Sequence, residues 1–537
     1  MPIIFITIAS AIYQVIVGSF NEVPADIYAH MERYQEAVTF LSNNSLGGAL
    51  PFRELLFQKS GVSYFLMAGI ANITGASTEQ VISVIDFANR TLFLLAIFFF
   101  TSSIFKGRQH NISIASMAVI FTALHMGVNV FAYIRYYTLA PTMLNMIVYM
   151  SAIILFLSLI AQRFKSTSWL LYGVLFFLIA AAASIHVQEA MFIGVMVAVI
   201  SFLGMISCVR FIPIKSPHDF RQTIVISIVA SIAFVSIYIY SHLNLPRAVN
   251  AHWRLWEFGA GVGLLPDLTT LNLKFQFSRV MTLWGIFVYL LFFVHIRRYR
   301  NNIFILAGML SPAVTFLNPF FVDLFLRHYN STTLWRLCYL IPVHFVAADL
   351  FIFYSQKLRE NGFLKRSISL IVVLLMIALL LPIKNTWQGI HYSRFPTLGA
   401  TNEKLGYAYY QDLLTFLESL DQPYEILTDP MTGYMVSAMT KHESKRRKFF
   451  RSHGHKRFSF YDYSNNPLIQ YKGYLLIVNQ RKKHLSNLGL IANHWSKNEW
   501  KNTDNYYPKE LIEHLNENSN RFHKEWGKEG VSVFLVK

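Results

Sequence analysis

Cysteine is nearly absent: Cys208 and Cys338, both inside apolar runs, are the only two in 537 residues. Two thiols exclude a disulfide framework and a thiolate metal site. Charge is scarce as well. Asp, Glu, Lys and Arg make up 14% of the chain, against about a quarter in soluble proteins. The sequence contains no internal repeat and no low-complexity tract. No small-residue cleavage site follows the first apolar run, "MPIIFITIASAIYQVIVGSF", so that run reads as a retained helix rather than a signal peptide. Acidic residues are outnumbered 29 to 47, for a net charge of +18. Such an excess suits nucleic acid, or a membrane protein whose cytoplasmic loops collect Lys and Arg. With 54% hydrophobic and 15% aromatic residues, the second reading is the stronger.

What the chain has in abundance is apolar runs long enough to cross about 30 Å of hydrocarbon. They fall near 2–19, 80–105, 112–130, 140–161, 168–185, 190–208, 222–241, 280–296, 303–318, 335–355 and 367–383. This predicts an α-helical polytopic membrane protein with about eleven transmembrane helices. The connections "FKGRQH", "QRFKS", "CVRFIPIKSPHDFRQ", "HIRRYRNN" and "QKLRENGFLKR" are short and basic, which places them in the cytoplasm. Residues 20–79, 131–139, 186–189, 242–279, 319–334 and everything after about 384 then face outward. The N-terminus is expected inside and the C-terminus outside.

Residues 1–383 read as the transmembrane domain and 384–537 as a small extracytoplasmic α/β C-terminal domain. The strand-like runs "YEILTD", "YLLIVNQ" and "VSVFLVK" alternate there with helix-compatible stretches such as "PKELIEHLNENSNRFHKEW". The cluster "KHESKRRKFFRSHGHKRF" (441–458) reads as a solvated loop or as a contact for anionic headgroups or glycans. In the first outer connection, "PADIYAHMERYQEAVTFL" carries Ile27, Tyr28, Met31, Tyr34, Val38 and Leu41 at the spacing of an amphipathic interfacial helix. Asp26, His30 and Arg33 lie about one turn apart and share a face. "GVSYFLMAGIANITG" (61–75) reads as a second interfacial or re-entrant helix.

The ionisable residues gather on the outer side. They are Asp26, His30 and Arg33; Arg135 and Tyr136 in "YIRYYTLAP"; His186 and Glu189 in "SIHVQEAMF"; His252, Arg254 and Glu257 in "AHWRLWEFG"; and Arg327 and His328 in "LRHYNSTTLWR", with Arg336 just beyond. Each motif has a plain structural explanation: a helix cap for Asp26 or "HVQE", an aromatic-belt anchor for "RYY", an interfacial Trp helix for "HWRLWE". Polar groups near hydrocarbon are costly, however, so many on one face suggest a shared wet cavity. The cytoplasmic side shows basic residues without a comparable His–carboxylate mix. Arg and His beside lipid suit a phosphate, and a carboxylate nearby suits a general base.

This layout resembles the GT-C superfamily of integral-membrane glycosyltransferases, which includes the protein O-mannosyltransferases, the lipid A aminoarabinose transferases and the oligosaccharyltransferases. An apolar first helix is followed by an outer loop with an acidic residue, here Asp26, and then by "LMAGIANITGAS" and "VIDFANRTLFLLAIFFFTSSIFKGR". "RYYTLAPTML" resembles the outer edge of the third and fourth helices in several such enzymes, and "ILTDPMTGYMVSAMTKH" (426–442) the opening of a soluble outer domain. The resemblance implies a first-loop acid acting as base or metal ligand, a role carried over to Asp26, with Glu22, Glu32 and Glu189 as rivals because Ile27 stands where a second acid is commoner. It implies a polyprenyl-phosphate sugar donor, a lipid, glycan or protein acceptor, and a divalent metal ion in some members. The expected activity is inverting sugar transfer at the outer face of the plasma membrane. Asp26, His30 and Glu189 form the catalytic set; Arg33, Arg135, Tyr136, His186, His252, Arg254, Arg327, His328 and Arg336 form the substrate-binding set. The alternatives are a lipid-linked polysaccharide polymerase or ligase, and a lipid-linked glycan transporter or flippase.

Overall fold

The computed structural model describes residues 2–17, 33–38, 40–41, 61–76, 78–126, 141–161, 168–206, 282–315, 318, 321, 325, 337–359, 362–380, 407–444, 471–481 and 509–537. They divide into two compact units, one drawn from 1–13, 86–256 and 261–395, the other from 14–85, 257–260 and 396–537.

The apolar runs fold into α1 (Pro2–Val17), α2 (Gly61–Thr74), α3 (Thr78–Ile104), α4 (Asn111–Met126), α5 (Pro141–Ala161), α6 (Ser168–Ile185), α7 (Val187–Ile206), α8 (Thr282–Val294), α9 (Ile303–Val314), α10 (Val343–Lys357) and α11 (Phe363–Leu380). Helices are what a bilayer demands, because each satisfies its own backbone hydrogen bonds. Among the described residues, five stretches are long and apolar enough to cross a membrane by length and composition: Phe87–Ile104, Thr142–Ile160, Val187–Gly204, Leu337–Lys357 and Phe363–Leu380. The expected spans coincide with helices wherever the structure describes them; the run at 222–241 lies outside the described residues. α2 has 14 residues, about 21 Å of helix, which is too short to span. Gly61, Tyr64, Ala68 and Ala71 line its buried face, while Leu66, Ile70 and Ile73 are exposed.

Aromatic side chains lock the bundle. The Phe100 ring of α3 meets Phe304 of α9 at 4.9 Å and Phe345 of α10 at 5.4 Å. Phe121 of α4 meets Trp284 of α8 at 5.5 Å and Phe351 of α10 at 5.6 Å. Gly308 lets α9 approach the turn before α10. A Cβ there would stand 2.4 Å from Pro342 Cδ.

At one end of the bundle two of the basic connections meet. Arg108, just after α3, donates to the Arg298 carbonyl oxygen (2.6 Å) in the 3-10 turn Ile296–Tyr299 that follows α8. Arg298 in turn grips both carboxylate oxygens of Asp349 on α10, at 2.6 and 2.8 Å. Asn302 caps α9 through the Ile305 amide and donates to the Ile104 carbonyl oxygen at 3.0 Å. His295 contacts the Tyr354 hydroxyl at 2.6 Å. This corrects the expectation that the basic side lacks a His–carboxylate mix. Asp349 was hidden because it sits in the apolar stretch "VAADLFIFY", and it is completely buried.

In the C-terminal region, α12 (Tyr407–Glu418), β1 (Glu425–Leu427), α13 (Pro430–Met439), β2 (Glu443–Ser444), β3 (Leu475–Asn479), α14 (Lys509–Glu517), β4 (Phe522–Lys528) and β5 (Val531–Val536) form an α/β fold. The sheet order is β2-β1-β3-β5-β4, with β1 parallel to β2 and β3, and β5 antiparallel to β3 and β4. β3, buried at every residue, is the centre. Asp429 caps α13 by accepting from the Thr432 amide at 2.9 Å, and Pro430 fits the first helical position. "FHKEW" is a strand and not the continuation of a helix: α14 stops at Glu517, and β4 pairs with β5 through a turn at Glu529 (φ 46°) and Gly530 (φ 81°). β4 is mostly polar and exposed, with Phe522 buried and Trp526 half-buried as its only large apolar residues, too few to mark a strand by period.

Candidate functional site

Away from the basic loops, the chain reverses between α6 and α7 with His186 as the single residue between the two helices. The His186 amide still bonds the Ala182 carbonyl oxygen at 2.9 Å, so α6 runs into the turn, and Glu189 falls in the first turn of α7. A carboxylate there complements the positive end of the helix dipole. Its side chain is completely buried, as are Gln188 and Asn145.

Buried charge survives only with partners, and Glu189 has three. Its Oε2 faces His186 Nδ1 at 2.5 Å and Asn145 Nδ2 at 3.3 Å, and its Oε1 accepts from Gln188 Nε2 at 3.3 Å. Asn145, on α5, also donates to the Ala182 and His186 carbonyl oxygens at 2.9 and 2.6 Å, which pins the turn to α5. Its own Oδ1 is buried with no hydrogen-bond partner among the described residues. The His186 side chain keeps 25% exposure. The carboxylate is thus enclosed while the imidazole is presented. With Nδ1–H on Glu189, the neutral ring has Nε2 as a proton acceptor.

No protein-family model matches the sequence, and no curated protein matches it. Solved structures do. The chain is similar to the archaeal oligosaccharyltransferase AglB from Archaeoglobus fulgidus, determined with an inhibitory peptide and a dolichol-phosphate. The match covers 100% of this chain and 74% of that one at 9% identity, with a TM-score of 0.51. The chain has the GT-C fold. A second similar structure is ArnT from Cupriavidus metallidurans bound to undecaprenyl phosphate, at 11% identity, with 99% of this chain and 97% of that one covered and a TM-score of 0.46.

Within this GT-C bundle the expected site residues fare differently. His186 and Glu189 come together as described. Arg33 begins the helical segment 33–38, where it hydrogen-bonds Tyr64 of α2, and Phe40 packs edge-on against Phe65 at 5.7 Å. Asp26, His30, Arg135, Tyr136, His252, Arg254, Arg327, His328 and Arg336, with the rival acids Glu22 and Glu32, lie outside the described residues. Among the described residues no group of three or more His, Cys, Asp or Glu is arranged to hold a metal ion.

One residue was overlooked. Arg90 on α3, in "FANRTLF", is 3% exposed, with Asn89 and Thr91 buried beside it. The signal was legible: an arginine inside a membrane-length apolar run is costly enough to demand a function or a partner. Arg90 lies 14 residues before the basic end of α3, about 21 Å along it. Asn145 and Glu189 stand at about 24 and 26 Å on α5 and α7 by the same measure.

Proposed function

We propose that the protein is a membrane glycosyltransferase that moves a sugar from a polyprenyl-phosphate donor to a lipid, glycan or protein acceptor at the bilayer face opposite the basic loops. The observation that carries this reading is the His186–Glu189–Asn145 cluster: a part-exposed imidazole held by a buried carboxylate at the turn between two apolar helices of a GT-C fold. Fold analogy with an oligosaccharyltransferase solved with dolichol-phosphate supports a lipid-phosphate donor as analogy only.

In the proposed displacement an acceptor oxygen bonds to the anomeric carbon as the bond from that carbon to the phosphate oxygen breaks. The electron pair leaves on the phosphate. His186 Nε2 takes the acceptor proton, and Glu189 holds the ring without touching substrate. Arg90, with Arg33, Arg135, His252, Arg254, Arg327 and Arg336, is a candidate to neutralise the leaving phosphate. Asp26 is the alternative base that the family resemblance implies. The site faces outward from the plasma membrane, and residues 384–537 form the outer domain.

The test is turnover of a panel of radiolabelled polyprenyl-phosphate sugars by purified wild type, His186→Gln and Asp26→Asn, with donor binding measured in parallel. Turnover lost in His186→Gln with binding retained supports the assignment. Loss only in Asp26→Asn moves the base to the first loop. Donor binding with vectorial movement and no bond cleavage would replace the enzyme by a transporter.

A further inference from the structure

Asn145 does more at the cluster than hold the turn. Its Nδ2 carries two hydrogens, and the Ala182 and His186 carbonyl oxygens at 2.9 and 2.6 Å take both, with Glu189 Oε2 at the edge of reach at 3.3 Å. The oxygen and nitrogen of this carboxamide cannot trade places, because Oδ1 would then face two carbonyl oxygens and a carboxylate. Oδ1 is therefore directed away from them. It is buried with no hydrogen-bond partner among the described residues, and an enclosed acceptor left unpaired is costly. Adhesion between helices accounts for Nδ2 but not for Oδ1.

The same face of α5 continues the pattern. Thr142 and Tyr149, about one turn before and after Asn145, are each 4% exposed, and α5 packs against both α6 and α7. All three lie in the membrane-length stretch Thr142–Ile160. Polar side chains grouped on one buried face of such a helix call for polar company. None of the three carries a charge. A phosphate is matched by arginine, whereas hydroxyl, carboxamide and phenol groups match a neutral molecule rich in hydroxyls. Oδ1 accepts only, so it selects a group that donates. The Glu189 carboxylate beside Asn145 disfavours a second anion there.

We propose that Thr142, Asn145 and Tyr149 form the sugar-binding wall of the site, with Asn145 Oδ1 accepting a hydrogen bond from a hydroxyl of an uncharged donor sugar. The assignment rests on the polyprenyl-phosphate reading above, and it names the part of the site that recognises the sugar rather than the phosphate.

Equilibrium binding to the full chain in detergent tests this without turnover. The probes are undecaprenyl phosphate, its neutral hexosyl forms (glucose, mannose and galactose) and its galacturonosyl form. Wild type should hold its best neutral form about tenfold more tightly than the bare carrier, and the galacturonosyl form no better than the bare carrier. Asn145→Leu should bring the neutral form down to the level of the bare carrier, whose own affinity stays as in wild type. Ser158→Ala, also on α5 but bonded to the Ile154 carbonyl oxygen, should leave every value unchanged. Equal losses for bare and glycosylated carrier in Asn145→Leu would mark a structural residue and overturn the sugar role. A wild type that holds bare and neutral forms alike, or that prefers the galacturonosyl form, would overturn it while the lipid-linked donor stands. Failure to bind any of the probes would sink the donor reading itself, and the wall with it. Should Asn145→Leu misfold, Thr142→Val/Tyr149→Phe decides, since it leaves the carboxamide and the turn in place: a reduced preference for the neutral form supports the wall, and an unchanged one overturns it.

Discussion

His186 Nδ1 stands 2.5 Å from Glu189 Oε2, and the two differ in access: Glu189 is fully enclosed, while a quarter of the His186 side chain is exposed. In the proposed mechanism Glu189, expected in the catalytic set, takes a positioning role. Both its oxygens are engaged by His186, Asn145 and Gln188.

Replacing Glu189 by Gln keeps the side chain's size but can hold the imidazole in the wrong tautomer. The expected outcome is a fall in kcat of about 100-fold or more with donor affinity nearly unchanged. Steady-state kinetics with a separate donor-binding assay checks it. An unchanged kcat would remove Glu189 from the mechanism.

Asp349→Asn should destabilise the bundle, because Arg298 loses the carboxylate that compensates its partial burial. The cost expected is about 3 kcal/mol, the low end for a broken buried pair since the guanidinium is partly solvated. Thermal unfolding in detergent reads the loss. Arg298→Met/Asp349→Leu, which removes both charges, should recover most of it.

Gly308→Ala should destabilise through the approach of α9 to the turn before α10. The new methyl would stand 2.4 Å from Pro342 Cδ and 2.9 Å from the Leu340 carbonyl oxygen. Overpacking of this kind costs about 1–3 kcal/mol, visible as a lower midpoint in the same unfolding assay. Gly69→Ala, where the added Cβ meets nothing within 4 Å, is the neutral comparison.

The C-terminal fold should weaken in acid through His442. Its Nδ1 accepts from the Tyr424 amide at 2.9 Å, and its Nε2 faces the Leu417 carbonyl oxygen at 2.6 Å, so the neutral ring is fully used. Burial holds its pKa below the ordinary 6.5; Lys441 adds to that shift, and the Leu417 carbonyl oxygen opposes it. The unfolded chain then binds the proton more readily than the folded one. The histidine's contribution is intact above about pH 6.5 and is lost as pH falls toward the folded pKa. Hydrogen exchange at residues 424–442 between pH 7.5 and 5 should show rising exposure, once the intrinsic pH dependence of exchange is removed, and His442→Gln should flatten that trend. A wild-type profile already flat over this range would refute the role given to His442.

The positions of the membrane helices were legible in the sequence because an apolar run of span length has few alternatives to a helix. The buried strands β1, β3 and β5 were legible for a similar reason, as short apolar runs between turn signals. β4 was not, because Phe522 and Trp526 are its only large apolar residues and pairing with β5 makes it a strand. The grouping of basic connections followed from charge alone, and the contact of Arg108 with the Arg298 segment bears it out for two of them.

What composition and periodicity left open is which way each helix turns its few polar groups. Asp349 meets Arg298 from 51 residues away, and Asn145 reaches Glu189 across 44. In helices apolar all round, the hydrophobic pattern does not specify rotation, so packing of Phe100, Phe121, Trp284 and Phe345 decides it. The sequence by itself determined a multi-helix membrane protein with a small α/β domain and a His–Glu pair at a tight turn. Only the tertiary structure decided that the Glu is enclosed and the His presented, that Arg90 is buried, and that the basic end carries a carboxylate. Those outcomes depend on contacts between distant segments, which no local pattern records.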